Sequence, residues 1–204
     1  MVQTGIRLSA IAQRYVANYK DGKWGKGGLT GDANVVLNEC AGILQYCQEV
    51  FEGLKAYKTK DGRTVTFRPD QNAKRMIDSA KRLEMPPVSE EMFMKAVDEV
   101  VRANKDYIPP FESGGALYLR PYLFATGPVI GVKPSDEYQF RLFGTPVGNY
   151  FKNGVKPSPS ACPTLTVRHP GAPATSRLGL NYAMSFHVFI KAVVVGGDVS
   201  MEAH

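Results

Sequence analysis

The sequence predicts an α+β fold in which a mostly antiparallel sheet packs against two helices. Three observations lead there: a hairpin signature over residues 54–67, two successive helical apolar stripes between 70 and 105, and two long strands over 116–126 and 137–144. Strands, then paired helices, then strands again is the order of a mixed domain with a largely antiparallel sheet, not of an alternating parallel one.

Each element has its own signal. YVANY (15–19) and NVVLN (34–38) are short β-prone runs on either side of a Gly/Lys-rich loop. LKAYKT and TVTF flank Lys60-Asp61-Gly62-Arg63, and an Asp-Gly pair supplies the positive φ angles that a tight hairpin turn demands. Over 70–83, Ala73, Met76, Ile77, Ala80 and Leu83 recur at three- and four-residue intervals, so they share one helical face, and Pro86-Pro87 stops that helix. Ser89 is the expected N-cap of a second helix carrying Phe93, Ala96, Val97, Val100 and Val101 inward as far as about Lys105. In EYQFRLFG, Tyr138, Phe140 and Leu142 alternate with Gln139, Arg141 and Phe143, the period of a strand with two different faces. After Pro146 the stretch GNYFKNGVKPSPS has no sustained period, which predicts a linker. The expected organisation is a small domain over 1–146, a linker over 147–160 and the start of a second domain over 161–204, too short there for a core of its own.

Composition narrows the class. Hydrophobic content of 44% with 22% charged residues is that of a globular chain, and no apolar run reaches the roughly 18 residues of a membrane span. The formal charge of +6 is spread along the chain and interleaved with acids, so it predicts a solvated surface and no nucleic-acid interface. Cys40, Cys47 and Cys162 form an odd set without a C-x-x-C pair, which fits neither a disulfide framework nor a zinc site and suits a reducing compartment. The first sixteen residues lack a signal-peptide core, and a cytoplasmic location is expected.

Four segments look pocket-forming: FEGLKAYK, LYLRP, PVGNYF and LGLNYAMS. Three of them mix glycine, which lets backbone approach a ligand, with an aromatic residue, and LYLRP sets a tyrosine and an arginine two apart. With LQYCQEVFEGLKAYK, FRPDQNAKRM, DSAKRLEMP, GALYLRPYLFA, IGVKPSDEYQF and TPVGNYFK, they closely resemble the branched-chain-amino-acid aminotransferases, fold-type IV enzymes that use pyridoxal 5'-phosphate. The likeness runs from about Tyr15 to His187, and the Tyr118-x-Arg120 pair sets this group apart from relatives acting on D-amino acids or aminodeoxychorismate.

The resemblance implies roles at matching positions. Arg75 matches the arginine that holds the cofactor phosphate, and Tyr182 the tyrosine that hydrogen-bonds the cofactor's ring oxygen. Tyr46, Phe51, Tyr118 and Arg120 match the substrate-pocket wall and the network that fixes the substrate carboxylate. Family members carry a lysine two residues before the Gly of G-x-N-Y; it bonds covalently to the cofactor and moves the substrate's α-proton. In TSRLGLNYA that place is Arg177. A guanidinium stays protonated and is a poor nucleophile, so Arg177 is not expected to do the lysine's chemistry. Lys191 lies more than three helical turns on, about 20 Å along a continuous helix, and is no substitute.

The family's cofactor domain also continues well past this helix, whereas KAVVVGGDVSMEAH diverges and ends, leaving Glu202 without the role of partner to the pyridine nitrogen. The expected fold is therefore a fold-type IV small domain plus the truncated start of a cofactor domain. By resemblance the activity is transfer of the amino group of leucine, isoleucine or valine to a 2-oxo acid, 2-oxoglutarate, by a homodimer. The chain as written is expected to be inactive. The alternatives are a non-catalytic dimerising or regulatory module and a truncated gene product. No metal, nucleic acid or membrane partner is expected.

Overall fold

The computed structural model describes residues 11–148 together with Arg177 and Gly179. Strands β1 (Arg14–Lys20), β2 (Lys23–Trp24) and β3 (Gly28–Thr30) are followed by the short helix α1 (Gly42–Tyr46) and by β4 (Glu49–Phe51), β5 (Leu54–Lys58) and β6 (Thr64–Thr66). Helices α2 (Pro69–Arg82) and α3 (Glu90–Ala103) come next, then two single 3-10 turns, then the ten-residue strands β7 (Ala116–Ala125) and β8 (Tyr138–Val147). Every strand pairing is antiparallel; the order is β2-β1-β8-β7-β5-β6, with β3 also on β1 and β4 also on β7.

The alternation of β7 and β8 decides what faces what. Cross-strand partners share a face, so Tyr15 with Leu142, Ala17 with Phe140 and Leu123 with Phe140 all point one way. On that side lie α2, through Ala73, Met76 and Ala80, and α3, through Phe93, Ala96, Val97 and Val100, in one buried cluster. Phe93 stacks on Phe140 at 6.3 Å between ring centroids, and Tyr15 tilts against the same ring at 6.1 Å. The other face carries Tyr118, Arg120, Tyr122 and Phe124 from β7 and Gln139, Arg141 and Phe143 from β8.

The α+β class and both helices are found as expected, with differences in detail. NVVLN forms no strand: Asp32 and Asn38 bend the backbone locally through their side-chain oxygens, and Val36 is 95% exposed, with no strand paired to this run among the described residues. The hairpin loop is longer than an Asp-Gly turn, since Thr59 N donates to Arg63 O and only Gly62 has positive φ, at 80°. Helix α2 stops at Arg82, before the prolines, because Glu84 swings to a φ of 52° and Met85 N bonds back to Ala80 O. Helix α3 has the expected cap, Ser89 Oγ accepting from Met92 N at 3.1 Å, but ends at Ala103, where the Asn104 side chain bonds Val100 O. Strand β8 runs through Thr145 and Pro146 to Val147, three residues past its expected end, because β7 is long enough to pair with all of it. The expected linker and the segment beyond it lie outside the described residues, apart from Arg177 and Gly179.

Candidate active-site face

Strand alternation across β4 divides one tripeptide between two environments. Phe51 belongs to the face opposite the helices, opposite Tyr122 on β7, while Glu52 turns to the helix side and is fully buried. Helix α2 meets it with a stripe at three- and four-residue spacing, Asn72, Arg75 and Ser79. Arg75 donates from Nε to Glu52 Oε1 and from Nη2 to Oε2, both at 2.6 Å, a bidentate ion pair. Asn72 Nδ2 adds a bond to Oε2 at 2.9 Å, and Gly53 N adds one at 3.3 Å.

Residue 177 docks on the same two elements. Its carbonyl accepts from Phe51 N at 3.1 Å and its N–H donates to Ser79 Oγ at 3.2 Å, while Ser79 donates to Arg75 O at 2.8 Å. Its Nε stands 4.0 Å from Glu52 Oε1, at the outer limit of an ion pair. Gly179 backs onto Glu49: a Cβ there would lie 2.8 Å from Glu49 Oε2, too close for any larger residue without displacing that carboxylate.

On the face opposite the helices, Arg120 is held by aromatics. Its guanidinium carbon lies 4.3 Å from the Phe51 ring centroid and 5.4 Å from that of Tyr118, and its Nε donates to Tyr118 Oη at 3.1 Å. Tyr122 and Phe124 stack beside it at 5.3 Å, and Phe143 meets Tyr122 edge-on at 5.9 Å. Burial pushes the Glu49 carboxyl above the usual carboxylate range, with the Arg120 charge opposing the shift, and burial also raises the Tyr122 phenol. The result is an aromatic wall with an oriented cation, suited to an anionic group attached to an apolar body.

Of the seven residues picked from sequence, the structure brings Phe51, Tyr118 and Arg120 into direct contact, with Arg75 and Arg177 just across β4 on Glu52. Tyr46 is apart from them: it sits at the end of α1, its hydroxyl accepts from Gly131 N at 2.7 Å, and it lines a cleft of about 340 Å³ with Gln48, Leu83 and Val132. Tyr182 lies outside the described residues. A larger cleft of about 710 Å³, lined by Lys20, Lys81, Glu84 and Glu137 among others, includes none of the seven. Sequence reading missed Glu49, Glu52, Asn72 and Ser79. The 72/75/79 spacing was visible as a polar stripe beside the apolar one; that a buried carboxylate lies opposite it depends on tertiary packing. Among the described residues no cluster of His, Cys, Asp and Glu has the makings of a metal site, and no buried side-chain nitrogen or oxygen lacks a hydrogen-bond partner.

A mostly antiparallel sheet with two helices packed on one face is the fold of a fold-type IV aminotransferase small domain. Solved structures share the fold. A branched-chain aminotransferase from Thermoproteus uzoniensis with norvaline superposes with a TM-score of 0.70 at 24% identity, covering 90% of this chain and 58% of that one. The Escherichia coli branched-chain amino acid aminotransferase gives 0.67 at 22%, covering 91% and 56%. No protein-family model matches the chain. Curated sequences do: the branched-chain-amino-acid aminotransferase of Helicobacter pylori is 43% identical over 174 residues, 84% of this chain and 51% of that protein. That of Haemophilus influenzae is 46% identical over 172 residues, with shares of 84% and 50%. The chain belongs to the branched-chain-amino-acid aminotransferase family. It spans about half the length of the curated relatives it matches.

Proposed function

We propose that this chain carries the substrate wall and phosphate-side arginine of a branched-chain-amino-acid aminotransferase, and that by itself it does not move the amino group of leucine, isoleucine or valine to 2-oxoglutarate. The observation that carries the reading is the residue at position 177, where the resemblance places the family's lysine. The bond to pyridoxal 5'-phosphate needs a neutral amine, and a guanidinium remains protonated at any pH the fold tolerates. Another solved branched-chain amino acid aminotransferase of the same fold is complexed with N-(5'-phosphopyridoxyl)-L-glutamate. The residues here do not fit a covalently held cofactor, because the donor at 177 is an arginine that leans on Glu52 instead of an amine.

What remains is recognition. Arg120, steadied by Phe51 and Tyr118, is the group that would orient the carboxylate of an amino acid or 2-oxo acid, with the surrounding aromatics covering an aliphatic side chain. Arg75 is assigned to the phosphate and Tyr182 to the cofactor ring by resemblance alone. So are Tyr46's place in the pocket wall, the homodimer and the cytoplasmic location; no described helix is long and apolar enough to cross a membrane. The domain division at 146, 147–160 and 161–204 is part of the same proposal.

The test is a coupled assay of leucine and 2-oxoglutarate with saturating pyridoxal 5'-phosphate and the purified chain. Glutamate formation at the background of heat-denatured protein is the expected result; turnover removed by Arg120→Met would overturn the reading.

A further inference from the structure

We propose that Glu52 is the positioning residue of this site: one buried carboxylate that orients Arg75 and ties position 177 to helix α2. The inference stands on the geometry among residues 52, 72, 75, 79 and 177, and it holds whether or not the chain takes a cofactor.

Glu52 has no exposed surface, and a desolvated carboxylate persists only where charged or N–H donors replace its water. Its two oxygens are provided for unequally. Oε2 receives Arg75 Nη2 at 2.6 Å, Asn72 Nδ2 at 2.9 Å and Gly53 N at 3.3 Å. Oε1 receives Arg75 Nε at 2.6 Å and then faces Arg177 Nε at 4.0 Å. Oε1, the oxygen with fewer short contacts, is the one that Arg177 Nε faces. Arg75 is held along its Nε–Nη2 edge, which fixes the plane of the guanidinium and hence the direction in which its remaining N–H bonds point.

The backbone completes the arrangement. Residue 177 bonds Phe51 N on one side of Glu52 and Ser79 Oγ on the other, and Ser79 in turn bonds the carbonyl of Arg75. Its side chain therefore projects from a fixed point beside the carboxylate. With Arg75 and Arg177 both cationic the group carries a net single positive charge, and Arg177 serves as a second counter-cation for Glu52. A position that elsewhere would need a nucleophile is used here for ion pairing.

The experiment reads arginine Nε–H resonances of the full chain by proton–nitrogen correlation. Arg63 and Arg102 act as internal controls, since their Nε atoms also pair with carboxylates, Asp61 and Asp98, but at the exposed surface. In the wild-type chain the Arg75 Nε–H, assigned by its absence in Arg75→Lys, should exchange with solvent about tenfold more slowly than either control, because it is held against a buried acceptor. Glu52→Gln should abolish that difference and also shift the Arg177 resonance, whereas Arg177→Met should leave Arg75 as it was. Should Glu52→Gln not fold, the wild-type comparison and Arg177→Met still decide the matter. Exchange at Arg75 as fast as at the controls, or loss of its protection in Arg177→Met, would overturn the assignment.

Discussion

The contact between Arg120 and Phe51 can be weighed by a double-mutant cycle on thermal and urea unfolding, using Phe51→Leu, Arg120→Met and the pair. The guanidinium carbon is 4.3 Å from the ring centroid, well inside the roughly 6 Å reach of a cation–π contact. Phe51 is 8% exposed and Arg120 half-buried, which places the pair between the exposed and desolvated limits. Such contacts contribute about 0.5–1 kcal/mol at the surface and about 2 kcal/mol when dry, so a coupling of about 1 kcal/mol is expected here. In a chain of this length that corresponds to about 2–4 °C in Tm between the double variant and the sum of the singles. Tyr118→Phe paired with Arg120→Met should couple by about 1 kcal/mol as well, through the Nε–Oη hydrogen bond at 3.1 Å. A coupling below about 0.3 kcal/mol in the Phe51 cycle, the scatter seen for independent sites, would refute the reading that the aromatic wall holds the cation.

Two further outcomes follow from the same structure. Burial raises the Glu49 carboxyl, so the folded state binds that proton more tightly than the unfolded chain; its contribution to stability therefore falls as pH rises from the ordinary carboxylate range through the raised value. Glu49→Gln should accordingly raise Tm at pH 7.5 relative to wild type, with the gain shrinking on acidification and vanishing below the ordinary carboxylate range, where both states hold the proton; a gain that grows on acidification would contradict this, Arg120 being the charge that opposes the shift. Ser89→Ala removes the side-chain bond to Met92 N and should cost about 1 kcal/mol, measured by the urea midpoint, with Ser89→Asp restoring it; no change with alanine would mean that the cap does not matter to α3.

Much of the fold was legible because its signals are local. The α3 cap lies within four residues of sequence, and the apolar stripes of α2 and α3 and the alternation of β8 are periodic. Strand β4 was missed because three residues carry too little period, and it exists only because β7 offers it an edge. The run 34–38 was misread for the converse reason: no strand among the described residues pairs with its β-branched residues. Phe51, Tyr118 and Arg120 were singled out by the family resemblance, and the three side chains do meet. Glu52 was passed over in FEGLKAYK because nothing in the tripeptide says that it turns inward; its partners come from 20 and 23 residues on, and Arg177 from far beyond. Tyr46 shows the limit from the other side, since it sits in the same long motif as Phe51 yet lies on α1, bonded to the 127–135 loop.

Whether residue 177 has exchanged covalent chemistry for ion pairing is tested most directly by incubating the chain with pyridoxal 5'-phosphate, reducing with borohydride and mapping the label by mass spectrometry of the peptides. The expected result is no stoichiometric pyridoxyl adduct, only traces spread over exposed lysines such as Lys60 and Lys133. One label per chain on a single lysine, lost when pyridoxal without its phosphate is used, would contradict it.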